Sequence, residues 1–101
     1  MSNKDITPIL HALAEVREEV IRARELHPQP FHSPHEAYGV IQEEFIEFQQ
    51  QVFHRKEKRC ARNISDELTQ IAAMAIRAKL DLGYTPQAIL ARQGTQSVSS
   101  L

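Results

Sequence analysis

Three hydroxyl residues, each followed by proline, mark helix starts along this chain of 101 residues. They are found in Thr7-Pro8, Ser33-Pro34 and Thr85-Pro86. A serine or threonine at the N-cap accepts a hydrogen bond from the first turn, and proline at the first helical position has no N–H that would lack a partner there. Apolar residues then recur at spacings of three and four, and no stretch alternates like a half-buried strand. The chain is therefore predicted to be all-α.

The boundaries of the predicted helices follow from caps, prolines and glycines. Asn63 is the predicted N-cap of the third helix, and Gly83 is its predicted end. The four predicted helices run from about Thr7 to Leu26, Ser33 to Phe53, Asn63 to Leu82, and Pro86 to Gly94. We expect one domain over residues 1–94 and a flexible tail over residues 95–101.

Composition narrows the possible functions. With 12 basic and 13 acidic residues the formal net charge is −1, so no general attraction to nucleic acid or to an anionic membrane is expected. The single cysteine, Cys60, excludes an intramolecular disulfide and a cysteine-based metal cluster. No apolar run approaches the roughly 20 residues of a membrane span, and the N-terminus lacks a signal-like apolar core. We therefore expect a cytoplasmic protein, and its small size favours oligomerisation.

The second predicted helix carries acidic residues where a bundle helix places apolar ones. At about 100° per residue, Glu44 lies inside the apolar stripe, between Ile41 and Phe48. Glu47 lies one turn further on and near the same side, so Glu44 and Glu47 can reach one ion. An inward carboxylate is costly unless something compensates its charge.

The third predicted helix repeats this arrangement with Glu67 at the edge of its apolar stripe and Gln70 three residues later. If the second and third helices pack antiparallel, Glu44 and Glu47 face Glu67 and Gln70. Carboxylate and amide oxygens suit Mg²⁺ or Mn²⁺, and such ions usually also bind substrate phosphates. The pattern therefore predicts a metal site that takes a phosphate-bearing ligand.

These residues resemble the signature of the MazG-like all-α nucleoside triphosphate pyrophosphohydrolases. Glu43-Glu44-x-x-Glu47 matches the first half of that signature, and Glu67 matches the start of the second half, a Glu-x-x-Asp pair. At the last position this chain has Gln70 where the family usually has aspartate. The resemblance extends over roughly Ser33 to Leu82, about half of the chain.

The resemblance implies a helical bundle in which two long antiparallel helices carry the site and a homodimer or higher homo-oligomer completes the fold. It implies that Glu44, Glu47 and Glu67 bind Mg²⁺, with position 70 as the fourth ligand and Mn²⁺ as a possible substitute. The implied reaction cleaves a nucleoside triphosphate, or a deoxynucleoside triphosphate, to a monophosphate and pyrophosphate. Glu43 is then the candidate base that orients or deprotonates the attacking water.

Other readings of the same residues remain open. Lys58, Arg62 and Arg77 are candidate substrate-phosphate contacts, although the basic run that contains Lys58 is also typical of a solvated connector. Arg77 can instead form a structural ion pair with the inward glutamates. Asp66 or Asp81 can replace the missing fourth carboxylate. The alternative function is a non-catalytic helical module that binds a nucleotide or a partner protein through a degraded metal site.

Overall fold

The computed structural model describes residues 5–99, apart from the side chains of residue 56 and of residues 95–99. This part of the chain contains no strand and is built from α-helices and one short 3-10 turn, so the all-α prediction is confirmed. The helices are α1 (Thr7–Leu26), α2 (Pro34–Val52), α3 (Ala61–Leu82) and α4 (Pro86–Ser99), with the 3-10 turn at Lys56–Lys58. None of the described helices has the length and apolar character that a bilayer span requires.

The predicted hydroxyl caps are present at two of the three sites. Ser33 Oγ accepts the backbone N–H of Glu36 at 3.1 Å, and Thr85 Oγ1 accepts that of Ala88 at 3.3 Å. At α1 the prediction is wrong, because Thr7 lies inside the first turn and donates its own N–H to Asp5 Oδ1 at 3.0 Å. The Asp5 carboxylate therefore accepts the first N–H of α1, and Thr7 is not the N-cap that the sequence predicted.

The two ends of α3 differ in how well the sequence predicts them. The helix begins at Ala61 with Cys60 as the N-cap, so the predicted cap Asn63 lies inside the first turn. Gly83 ends α3 as predicted, with a φ of +74° that an L side chain rarely adopts. There the Tyr84 N–H donates to the Lys79 carbonyl at 2.8 Å and the Gly83 N–H to the Leu80 carbonyl at 3.4 Å, which is the Schellman arrangement.

The helix α4 passes through Gly94 and continues to Ser99, so the predicted helix end at Gly94 is wrong. The predicted domain boundary after residue 94 therefore falls within a helix. Residues 100 and 101, the last part of the predicted flexible tail, lie outside the described residues.

The central helix is α3, which packs against both α1 and α2. Side-chain contacts show the directions: Glu19 meets Gln70 and Arg24 meets Asp81, so α1 runs parallel to α3. In contrast, Phe31 just before α2 meets Asp81 near the end of α3, so α2 and α3 run antiparallel, as predicted. The core between these helices consists of the buried apolar residues Val20, Ala23, Phe31, Ala37, Ala73 and Met74.

Arg77 joins the ends of these helices from a buried position on α3. Its guanidinium donates to the carbonyls of Ala23 at 3.3 Å and Gln29 at 2.7 Å, and also to the carbonyl of His27. The same group donates to Asp81 Oδ2 at 3.2 Å and lies 5.3 Å from the centroid of the Phe31 ring. One side chain thus satisfies the carbonyls at the end of α1 and in the loop that leads to α2.

The molecule is elongated for its length. Its radius of gyration is 17.5 Å, whereas a compact domain of about 100 residues has a value of about 13 Å. Among the described residues, α4 packs against no other helix, and no large side chain is fully buried. Many large apolar side chains stay exposed, among them Leu10, Leu13, Phe45, Phe53 and Leu90. A single copy of the chain therefore leaves much apolar surface in contact with water.

Candidate metal centre

Three carboxylates meet where the middle of α2 approaches the first half of α3. Glu44 and Glu47 come from α2 and Glu67 from α3, and one carboxylate oxygen from each lies within 4.8 Å of the other two. Glu44 and Glu47 are one helical turn apart, so their side chains extend from the same side of α2. Because α2 and α3 run antiparallel, the Glu67 side chain on α3 extends toward the same point as those of Glu44 and Glu47 on α2. The three predicted carboxylate ligands are therefore brought together.

The three acids repel one another, and two of them, Glu44 and Glu67, are partly buried, whereas Glu47 is exposed. Partial burial raises the pKa of Glu44 to about 7, and repulsion from Glu47 and Glu67 adds to this effect. Burial also raises the pKa of Glu67, and the nearby charges of Glu47 and Asp66 act in the same direction. Without a cation, the site therefore holds protons more tightly than isolated glutamates do.

No basic side chain of the described residues forms a salt bridge with these carboxylates. In the same part of the chain, the Oε2 atom of Glu67 is buried without any hydrogen-bond partner. A buried carboxylate oxygen without a partner carries the full cost of leaving water. The structural ion pair that the sequence left open is therefore wrong for Arg77, which bonds Asp81 instead.

The donor set fits a divalent cation. All three groups are carboxylates, the hard oxygen ligands that Mg²⁺ and Mn²⁺ prefer. Oxygens on opposite sides of one Mg²⁺ ion are about 4.2 Å apart and adjacent ones about 3 Å, whereas the three oxygens here lie within 4.8 Å of one another. The three side chains would therefore have to move closer together to hold one such ion.

Gln70 lies beside this cluster but uses its amide in another contact. Its Nε2 donates to Glu19 Oε1 on α1 at 2.6 Å. An ionised carboxylate only accepts hydrogen bonds, so the nitrogen of the amide must face Glu19. Glu19 lies outside the three-carboxylate group. The predicted role of Gln70 as a metal ligand stays a prediction.

The cluster opens into a cleft of about 680 Å³ between α1, α2 and α3. Pockets that bind small molecules typically have about 300 to 1,000 Å³. The lining includes Glu19, Arg22 and Glu36, which sequence reasoning missed as site residues. The helical periodicity that identified Glu44 could also have identified Glu19, because Glu19 adjoins the apolar positions Val16, Val20 and Ala23 of α1.

The other predicted site residues are placed differently. Arg77 lines the cleft, but its guanidinium is committed to the contacts described above. Arg62 lines a neighbouring groove with Glu18 and Asp66, and Lys58, in the 3-10 turn, does not line the cleft. Glu43 is exposed and is absent from the cleft lining.

The two acids proposed as replacements for a fourth carboxylate differ in position. Asp81 accepts from Arg24 at 3.0 Å, from Arg77 at 3.2 Å and from the Phe31 N–H at 3.1 Å, so it cannot serve the metal site. Asp66 lines the cleft but is exposed and lies outside the three-carboxylate group.

No protein-family model, no curated protein and no solved structure matches this chain.

Proposed function

We propose that this chain is a MazG-like pyrophosphohydrolase that uses Mg²⁺, or Mn²⁺ in its place, to cleave a nucleoside triphosphate, possibly a deoxynucleotide, to a monophosphate and pyrophosphate. One observation carries this proposal: a buried oxygen of Glu67 has no partner within a cluster of three uncompensated carboxylates. A cation would remove that cost, and the adjoining cleft has room for a nucleotide.

In this proposal Glu44, Glu47 and Glu67 hold the cation. When bound, Mg²⁺ supplies Lewis-acid polarisation of the phosphate oxygens and neutralises charge that develops on the leaving pyrophosphate. Glu44 must lose its proton to become a ligand, because burial and the neighbouring glutamates raise its pKa to about 7 in the metal-free chain. The walls of α1, α2 and α3 hold the substrate on one side of the cluster.

Glu43 is the proposed base that accepts a proton from the water that attacks the α-phosphorus. It precedes Glu44 on α2, and its exposed carboxylate lies outside the cleft lining. Glu43 can therefore act only on a water at the edge of the cleft. Replacing it is expected to lower the turnover number while metal binding persists.

A screen for pyrophosphate release tests the proposed reaction. All common NTPs and dNTPs are incubated with Mg²⁺ or Mn²⁺, and at least one is expected to yield monophosphate and pyrophosphate in equal amounts. If no pyrophosphate is released from any of these nucleotides, the proposed enzymatic activity is refuted. Calorimetric nucleotide binding without turnover would then support the alternative, a non-catalytic nucleotide-binding module. The cytoplasmic location expected from the sequence also stays a prediction.

We also propose that a second copy of the chain completes the bundle. Two features support this assembly: the radius of gyration of 17.5 Å exceeds that of a compact domain of this length, and an apolar groove on α1 and α3 is lined by Leu10, Leu13, Ile21 and Ile76. Burying such a groove against the same face of a second copy would give a symmetric dimer. Size-exclusion chromatography with light scattering should show a dimer or larger species, and a monomer at micromolar concentration would refute the assembly.

A further inference from the structure

The candidate cleft also contains a chain of hydrogen bonds that the acidic cluster does not use. The chain starts at Gln70 on α3, whose Nε2 donates to Glu19 Oε1 at 2.6 Å. It continues to Arg22, which donates from Nε to Glu19 Oε2 at 2.9 Å and from Nη2 to Glu19 Oε1 at 2.5 Å. All three residues line the same cleft as the glutamate cluster.

This arrangement differs from an ordinary surface ion pair. The Glu19 side chain is only 14% exposed, whereas Arg22 is 55% exposed. Glu19 is held from two helices, because Arg22 lies on its own helix and Gln70 on α3. Hydrogen bonds from Arg22, supported by one from Gln70, lower the pKa of Glu19, so it stays ionised. The guanidinium of Arg22 is therefore oriented by a fixed, charged acceptor.

Arg22 would be important for binding a phosphate group because the cleft that it lines is mainly acidic. Six of the described residues that line the cleft are acidic, and two are arginines. A phosphate-bearing ligand entering such a cleft needs cationic contacts besides a metal ion. Arg77 is 4% exposed and donates to three backbone carbonyls and Asp81, so it is not available. Arg22 keeps its Nη1 without a hydrogen-bond partner among the described residues.

We propose that Arg22 contacts a phosphate group of the ligand, and that Gln70 positions Arg22 through Glu19. This inference rests on the proposed function, since it takes a phosphate-bearing ligand of the metal-bound cleft as given. It gives Gln70 a role that aspartate could not fill, because a carboxylate at that position would face the carboxylate of Glu19 without an N–H to donate. Glu19 and Gln70 are positioning residues, and Arg22 is the ligand contact.

Calorimetric titration of the full chain with inorganic pyrophosphate, at saturating Mg²⁺, tests the ligand contact. Arg22→Ala is expected to weaken pyrophosphate binding by about tenfold or more, the effect of losing one charge-assisted hydrogen bond. Arg22→Lys should recover part of the loss, because it keeps the charge and loses the planar fork. Arg55→Ala is the matched control: it removes an exposed arginine that is absent from the cleft lining, and it should bind like the wild type.

The positioning role is tested with a double-mutant cycle. Gln70→Leu removes the N–H donor without adding charge and should weaken pyrophosphate binding by about threefold, less than Arg22→Ala does. In the Arg22→Ala background, Gln70→Leu should have almost no further effect, because it acts only through Arg22. Independent, additive effects of the two substitutions would overturn the positioning role, even if each variant binds weakly.

The outcomes separate this inference from the proposed reaction. If no nucleotide is hydrolysed but pyrophosphate binding depends on Arg22, the reaction is refuted and the phosphate contact stands. If nucleotides are hydrolysed and Arg22→Ala changes neither pyrophosphate affinity nor KM, the reaction stands and the contact is refuted. A wild-type chain that binds no pyrophosphate at saturating Mg²⁺ also overturns the contact. Circular dichroism should show that Arg22→Ala keeps its helices, since Arg22 is exposed.

Discussion

Two clusters of charged residues lie on α3, and they differ in whether their carboxylates have basic partners. Near the end of α3, Asp81 is buried with Arg77, Arg24 and a backbone N–H as partners, and these partners lower its pKa. In the first half of α3, Glu67 meets Glu44 and Glu47 without a basic partner in the part of the chain that the structure describes, and the pKa of Glu44 is raised to about 7.

The difference shows that this fold neutralises the Asp81 carboxylate with its own arginines. Arg77 lies less than three turns beyond Gln70 on the same helix, yet its donors go to Asp81 and to the carbonyls near the end of α1. The glutamate cluster is left with an uncompensated negative charge next to a cleft. Such a charge is typical of a site that an external cation completes.

The largest effect on the free energy of unfolding is expected from breaking the compensated cluster, which consists of Asp81, Arg77 and Arg24. Arg77→Met keeps an apolar side chain of similar reach but leaves Asp81 and several carbonyls without their donor. The free energy of unfolding should fall by about 3 kcal/mol or more, as for other buried pairs that lose one partner. Urea denaturation followed by circular dichroism measures it, with the exposed Arg55→Met as a control that should stay within about 0.5 kcal/mol of the wild type. A loss below about 1 kcal/mol for Arg77→Met would mean that this cluster is not a structural centre.

Neutralising a carboxylate of the uncompensated cluster, which consists of Glu44, Glu47 and Glu67, should lower the activity and not the stability. Glu67→Gln and Glu44→Gln each remove a ligand charge, so pyrophosphate release should fall by at least about 100-fold, the upper range for loss of a residue that only supports a metal ligand. Without metal, both variants should fold at least as stably as the wild type, because a repulsive charge is gone. Glu15→Gln, an exposed change on α1, is the control. A fully active variant at either position would refute the metal assignment.

The pH dependence of stability should separate the two clusters. In the metal-free native state the pKa of Glu44 is about 7, above its ordinary value of 4.5, so the native state binds more protons than the unfolded state between these values. The free energy of unfolding should therefore fall as pH rises through this interval. Asp81 has a lowered pKa, so its contribution is present above its ordinary value of 3.8 and is lost only at more acidic pH.

Thermal unfolding with a chelator at about pH 5 and about pH 7.5 measures this slope. Glu44→Gln should flatten it, and Mg²⁺ should raise the melting temperature more at the higher pH, where the ligands are ionised. A melting temperature that does not change with Mg²⁺ at either pH would favour a purely structural role for the glutamates.

The smallest effect is expected from the exposed member of the compensated cluster. The Arg24 side chain is 46% exposed, and its bond to Asp81 Oδ1 is 3.0 Å long. Arg24→Ala should change the free energy of unfolding by no more than about 1 kcal/mol, since water screens an exposed pair. A loss as large as that of Arg77→Met would show that Asp81 depends on both arginines equally.

Much of the fold could be predicted from local sequence signals. The start of α2 at Pro34, the end of α1 at Leu26 and the end of α3 at Gly83 follow from caps, prolines and a glycine that act within a few residues. The errors arose where several local signals compete. Asp5 rather than Thr7 serves the first turn of α1, and the helix α4 continues through Gly94.

The candidate site was predicted in part. Glu44 and Glu67 could be identified because helical periodicity shows which side chains face the apolar stripe. Glu19 and Arg22 were missed, because their importance depends on α1 lying beside α3. Gln70 and Glu19 are separated by 51 positions in the chain, so no local pattern pairs them.

The sequence by itself therefore determined that the chain is helical, where most of its helices begin and end, and which carboxylates point inward, because these properties depend on neighbours within one or two turns. Only the tertiary structure decided which charges are neutralised. Arg24 and Asp81 are 57 positions apart and meet only because α1 runs parallel to α3. The same packing takes Arg77 to Asp81 and Gln70 to Glu19, and it leaves Glu44, Glu47 and Glu67 together without a basic partner among the described residues.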